Sequence, residues 1–153
     1  MNVARTVVYV LATLALVSIA SAQQCPPNYP ITVTQFNISP GTITGDGHEV
    51  ARGTISVQNP FQVTIPVCLH SPNVPYHQCL PPAFPDIGSF ACGCGVPSGV
   101  STFEVDFWAS YSTTVTTDIT ASVDYPYNPP GCVDPGKTAS VTFVPPPIND
   151  PPP

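Results

Sequence analysis

Proline and glycine decide what this chain can become. It holds 22 prolines and 10 glycines in 153 residues, all of them beyond residue 22, where they punctuate the sequence. Proline fixes φ and removes a backbone donor, and helix signals are nearly absent beyond residue 22. Between the breaks Thr, Val and Ser dominate, and apolar residues alternate with polar ones. That period of two belongs to strands with one buried face.

Six segments carry the pattern. In the first, residues 31–39, Ile31 and Val33 share one parity while Phe36 and Ile38 share the other. A bulge near Gln35, or a strand that changes sheets, reconciles them. Turns are expected at Pro40-Gly41 and Gly45-Asp46-Gly47. Residues 49–58 place Ala51, Gly53, Ile55 and Val57 on one side, and residues 61–68 do the same with Phe61, Val63, Ile65 and Val67. Pro66, on the other parity, points to an edge strand or a strand end. Residues 100–111 alternate most clearly, with Phe103, Val105, Phe107, Ala109 and Tyr111 on one face and Glu104, Asp106 and Trp108 on the other. Residues 113–125 and 137–144 complete the set. The 71–99 span, with six prolines, reads as irregular loop held by disulfides. The expected fold is an all-β, antiparallel immunoglobulin-like β-sandwich, stapled by disulfides.

Residues 1–22 have the marks of a secretory signal peptide: Arg5, an apolar stretch from Val7 to Ala20, and the small-residue site Ala20-Ser21-Ala22. The domain is then 23–144, followed by a proline-rich tail, 145–153, of polyproline type. The expected location is secreted or extracellular, or the lumen of an endosomal, lysosomal or vacuolar compartment. No transmembrane segment is expected in the mature chain. With three basic residues against nine acidic ones and a net charge of -6, the chain cannot neutralise a phosphate backbone, so nucleic acid is excluded as a partner.

Export accounts for an even set of cysteines: Cys25, Cys68, Cys79, Cys92, Cys94 and Cys132, expected as disulfides. Spacing favours a Cys68–Cys79 hairpin clamp, with Cys92 and Cys94 taking Cys25 and Cys132 in either order. The alternative joins Cys25 to Cys132 and Cys92 to Cys94.

The chemistry is mostly negative. There is no phosphate loop, nucleophile elbow or zinc-protease motif. Glu104 and Asp106 share one exposed face, whereas paired catalytic carboxylates need a bond between them and unlike surroundings. Asp46 and Asp134 lie outside any acidic ligand run. No enzyme activity and no cofactor are expected. In a hairpin closed by Cys68 and Cys79, His70 would face His77. Two imidazoles lack a third ligand once the sulfurs are oxidised, so no metal site is expected. Asn37-Ile38-Ser39 is a glycosylation acceptor, which needs Asn37 in solvent. Trp108 points away from the main apolar set. It is either a contact hot spot for a partner or sugar or, as expected here, covered by the 71–99 segment.

Ile31-Thr32-Val33-Thr34-Gln35-Phe36-Asn37-Ile38-Ser39-Pro40, after a cysteine at position 25, resembles the opening strand and Ser-Pro turn of the ML family, the MD-2-related lipid-recognition domains. Gly53-Thr54-Ile55-Ser56-Val57 resembles that family's second strand, and Val96-Pro97-Ser98-Gly99 before Phe103–Tyr111 its later turn and strand. The resemblance spans residues 25–144. It implies a secreted lipid-binding or transfer protein that holds a lipid or sterol between two sheets. Ile55, Val57, Val63, Ile65, Phe103, Val105 and Phe107 would line that cavity. The alternative is a non-enzymatic extracellular structural or adhesion module with the same fold and a protein partner.

Overall fold

The computed structural model describes residues 31–59, 62–73, 75–85, 93–123, 132 and 134–148. The expected signal segment at 1–22, Cys25, Cys92, Phe61, Tyr125 and the last residues of the tail lie outside these. Among the described residues every regular element is a strand. They are β1 (Thr32–Ser39), β2 (Thr42–Thr44), β3 (Ala51–Gln58), β4 (Ile65–His70), β5 (Tyr76–Cys79), β6 (Phe84–Pro85), β7 (Gly93–Val96), β8 (Thr102–Trp108), β9 (Val115–Val123) and β10 (Lys137–Val144). One sheet has the order β1-β3-β8-β5 and the other β2-β10-β9-β4-β7-β6. The pairings are antiparallel except that of β2 with β10, which is parallel. The fold is an immunoglobulin-like β-sandwich.

Of the two devices that could reconcile the parities of the first segment, the bulge is the one present. The β1–β3 register shifts between Val33 and Gln35, and the extra residue lets Val33 before it and Phe36 after it both be buried. The chain then changes sheets between Ser39 and Thr42, because β1 belongs to the four-stranded sheet and β2 to the six-stranded one. β3 and β8 bury the sides that alternation assigns to them. β9 and β10 bury Thr117, Ile119, Ala121, Val123, Val141 and Phe143. Their outer faces carry cross-strand hydroxyl pairs, Thr116 with Thr142 and Thr120 with Thr138, beside a Ser140–Asp118 hydrogen bond.

The 71–99 span departs from expectation. It supplies β5, β6 and β7 rather than loop alone. β7 lies between β4 and β6, and all four of its residues are buried, so it has no polar face to announce it. Its glycines are required by close approach. A Cβ at Gly93 would strike the Val67 carbonyl oxygen, and one at Gly95 would come within 2.7 Å of the Phe84 ring. Pro66 likewise departs in part. β4 is an interior strand, and Pro66 pairs with Gly95 on β7 just beyond the point where pairing with β9 begins at Val67. It marks a strand end, not an edge.

The core is one cluster between the sheets. Phe36, Ile55, Phe103, Val105 and Phe107 from one sheet meet Ile65, Val67, Ile119, Val141 and Phe143 from the other. Each large side chain so buried contributes about 1.5–3 kcal/mol. Cys79 on β5 and Cys94 on β7 close a disulfide across the two sheets, 15 residues apart in sequence.

Candidate functional site

The residues named as a lipid cavity lie mostly within that core. Ile55, Val57, Ile65, Phe103, Val105 and Phe107 are 0–3% exposed and belong to the same packed cluster. Val63 is the exception: it precedes β4 and is 44% exposed, so its inward assignment is corrected. The alternation continues past the sheet here, because Val63 lies before the point at which the chain joins it at Ile65.

The cysteine pairing is also corrected. Cys79 bonds to Cys94, which excludes both Cys68–Cys79 and Cys92–Cys94. The hairpin argument fails because β4 and β5 are in different sheets. Cys68 also has the opposite parity to Val67, a core residue, whereas Cys79 and Cys94 both belong to the core. Cys68 and Cys132 are buried and also disulfide-bonded. The same crossing separates the histidines. His70 ends β4 opposite Thr120, whereas His77 sits on β5 opposite Phe107. Among the described residues no group of three or more His, Cys, Asp or Glu is arranged to hold a metal. Asn37 is exposed on β1, as an acceptor asparagine must be.

The carboxylates have structural partners. Arg52, opposite Asp106 on β3, donates to Asp106 through Nε at 2.8 Å and Nη2 at 3.3 Å and lies 3.3 Å from Glu104. Hydrogen bonding to Asp106 is the main reason the guanidinium is raised above its ordinary value. Asp134 is 4% exposed. Its Oδ2 accepts the N–H groups of Val33 (3.0 Å) and Val123 (2.8 Å), and its Oδ1 accepts the Thr32 hydroxyl (2.8 Å) and the Gly136 N–H (3.0 Å). It ties β1 of one sheet to β9 of the other. The Asp134-Pro135-Gly136 turn is legible in the sequence, but the reach to β1 is not.

What the structure gathers at the other end of the sandwich is a surface site around Trp108. Trp108 closes β8 on the outer face of the four-stranded sheet and is partly buried. Tyr76, directly opposite it on β5, stacks on it with ring centroids 6.1 Å apart and planes at 22°. The 71–99 span does cover Trp108, with a strand residue rather than a loop. Tyr76 is itself 69% exposed. A concavity of about 250 Å³ beside the pair is lined by Gly47, His48, Val50, Gln78, Asp106 and Trp108. A second, of about 440 Å³, is lined by Pro75, Tyr76, His77, Ala109, Ser110 and Tyr111. Burial holds the His77 imidazole below its ordinary value, and a hydrogen bond to the Pro75 carbonyl works weakly against that.

A rigid turn forms the rim. Asp46 Oδ1 accepts the N–H groups of His48 (2.8 Å) and Glu49 (3.0 Å), and Gly47 adopts φ 83°, a conformation that glycine enters without strain. Glu49 reaches back to accept the Thr44 N–H at 2.6 Å. Gly47 N–H donates to the Ala109 carbonyl and Tyr111 N–H to the Gly45 carbonyl. The Glu49 and His48 N–H groups hold Asp46 below the usual carboxylate range, and Thr44, through its side chain and then its N–H, does the same for Glu49. Trp108 was visible in the sequence as an outward residue. Tyr76, Gln78 and His48 were not, since only the β5–β8 register and the turn bring them there.

No protein-family model and no curated protein matches the chain. Solved structures are similar in fold. The D00-D0 domain of Intimin superposes with a TM-score of 0.50 at 17% identity, over 75% of this chain and 48% of that one. The D0-D1 domain of Intimin gives 0.49 at 16% identity, over 73% and 48%. The chain thus spans about half the length of these structures. At such identity the first likeness shows a shared fold.

Proposed function

We propose that this protein is an extracellular, non-enzymatic recognition module of immunoglobulin-like fold that acts by surface contact at its Trp108 end. The observation that carries the proposal is the contrast between interior and surface. Six of the seven residues that a lipid carrier would need around its ligand are packed together at 0–3% exposure, and none of the seven lines either surface concavity. A stacked Tyr76–Trp108 pair stands instead on an outer face, flanked by both concavities. Aromatic rings of this kind give large contact area at low entropic cost and dominate interface energetics. Oxidised cysteines support an extracellular site of action.

A lipid carrier of the ML kind would need the sheets to part and this core to open. Two measurements separate the two readings. Native mass spectrometry of the disulfide-intact protein, after exposure to mixed phospholipid and sterol vesicles, is expected to give the unliganded mass. Binding of the protein to intact cells or extracellular matrix is expected to fall in Tyr76→Ala and Trp108→Ala, with the melting temperature of Tyr76→Ala unchanged. A retained lipid mass, with surface binding indifferent to both substitutions, would return the function to lipid transfer.

A further inference from the structure

The concavity beside Trp108 has a composition that selects among ligands. We propose that it binds a neutral saccharide; this rests on the surface-recognition function above and names its ligand class. Trp108 and Val50 present apolar surface, and Asp106, Gln78 and His48 present polar groups, around one space of about 250 Å³. A sugar ring needs that division. Its C–H face packs against an aromatic ring, while its hydroxyls, each both donor and acceptor, need carboxylate, amide or imidazole partners. The volume falls just short of the ~300–1,000 Å³ usual for drug-sized ligands, which suits a single ring and is far too small for a lipid tail.

Charge narrows the class. Arg52 is committed to Asp106 and Glu104, and the adjoining turn adds Asp46 and Glu49. A phosphate, sulfate or uronate brought here would meet carboxylates with no uncommitted guanidinium or ammonium among the lining residues. Neutral sugars escape that penalty.

The site is also built in advance. Arg52 fixes the Asp106 carboxylate through both oxygens. Tyr76 fixes the Trp108 ring from the neighbouring strand. The Asp46 turn, bonded to Ala109 and joined to Ser110 by a β-bridge, fixes Gly47 and His48. Groups already held in place lose little entropy on binding, which is what weak, hydroxyl-rich ligands require.

The chain has a single tryptophan, so its emission reports on this concavity alone. The full secreted protein is titrated with hexamers of N-acetylglucosamine, glucose (β-1,4) and mannose (β-1,4), followed by Trp108 emission and calorimetry. At least one is expected to give a saturable emission change. Gln78→Ala and Asp106→Asn are each expected to weaken it about tenfold, and Tyr76→Ala to weaken it with the fold intact by circular dichroism. A sulfated heparin hexamer is expected not to bind. If no neutral hexamer changes the emission or releases heat, the saccharide assignment is overturned. Surface binding that still depends on Tyr76 would then leave the recognition function standing. It is overturned equally if surface binding survives glycosidase treatment of the target and is lost on protease treatment, which would make the ligand a polypeptide. Surface binding that is indifferent to Tyr76 and Trp108 would remove both proposals.

Discussion

Asp134 and Asp46 perform the same act at opposite ends of the sandwich, with different consequences. Each carboxylate gathers backbone N–H groups. Asp134 gathers three, with a hydroxyl, in a site 4% exposed. Asp46 gathers two in solvent. Strand register places them apart: β1 begins at Thr32 beside Asp134 and ends at Ser39, opposite Arg52 and hence Asp106 and Gln78. An N–H that loses its acceptor inside protein keeps no partner, whereas one that loses it in water is rehydrated. One end is therefore a structural clamp between sheets. The other is a surface whose shape can be altered with little effect on the fold, and that is where a binding site belongs.

The largest effect expected from this contrast is at the clamp. Asp134→Ala strands the N–H groups of Val33 and Val123 in a buried site. It should cost about 3–5 kcal/mol, at ~1–3 kcal/mol for each unsatisfied buried donor plus the lost charge-assisted bonds. Urea unfolding measures it. A loss no larger than that of Asp46→Ala would erase the distinction between the two ends.

Next comes the inter-sheet disulfide. Replacing Cys79 and Cys94 together by alanine removes a 15-residue closure, worth about 3 kcal/mol. The same unfolding experiment should show that loss as a lower midpoint. Because Cys79 follows Gln78 on β5, the double variant should also weaken ligand response at Trp108. A variant that is less stable yet binds normally would show that β5 is held by its pairing with β8 alone.

How much of this was legible beforehand depends on whether a residue's role is local. The alternation of Ala51, Gly53, Ile55 and Val57, and of Phe103, Val105 and Phe107, fixes two strands and their buried faces because burial on one side repeats every second residue. The bulge in β1 shows itself as a parity change. β7 offers no such signal, since a strand covered on both faces has no polar side and two of its residues are glycines chosen for close approach. The disulfide pairing failed for a related reason. Cys68 and Cys79 look like a hairpin clamp only if β4 and β5 share a sheet, and the crossing between sheets leaves no mark in the intervening sequence. Of the proposed binding end, Trp108 is visible through its parity. Its neighbours come from two other stretches of chain, His48 from the turn and Gln78 and Tyr76 from β5, and are assembled only by register and that turn.

Acid should distinguish the ends further. Burial holds His77 below its ordinary value of 6.5, so the unfolded chain takes up this proton before the folded one. The stability tied to neutral His77 is therefore complete above about pH 6.5. It declines as the pH falls from there through the lowered folded value. Thermal melts across pH 7.5 to 5 should show the decline, and His77→Gln should flatten it. An unchanged slope in that variant would place the titrating group elsewhere.

The smallest effect belongs to the turn at the rim. Hydrogen bonds from the Glu49 and His48 N–H groups hold Asp46 below its ordinary value of 3.8, and those from Thr44 hold Glu49 below 4.5. For a carboxylate lowered by folding, the contribution is present above the ordinary value and disappears as the pH falls through the folded one. Both carboxylates are exposed, so little global stability should follow them. What should change is local. As the pH falls through these lowered folded values the turn loses its anionic acceptors, and His48 is no longer held against the Trp108 concavity. The emission of the single tryptophan should then shift in a step that Asp46→Asn moves or abolishes, while the urea midpoint of that variant at neutral pH stays close to wild type. If Asp46→Asn instead lowers the midpoint as far as Asp134→Ala does, the turn is a second clamp, and the division between a fixed end and a binding end does not hold.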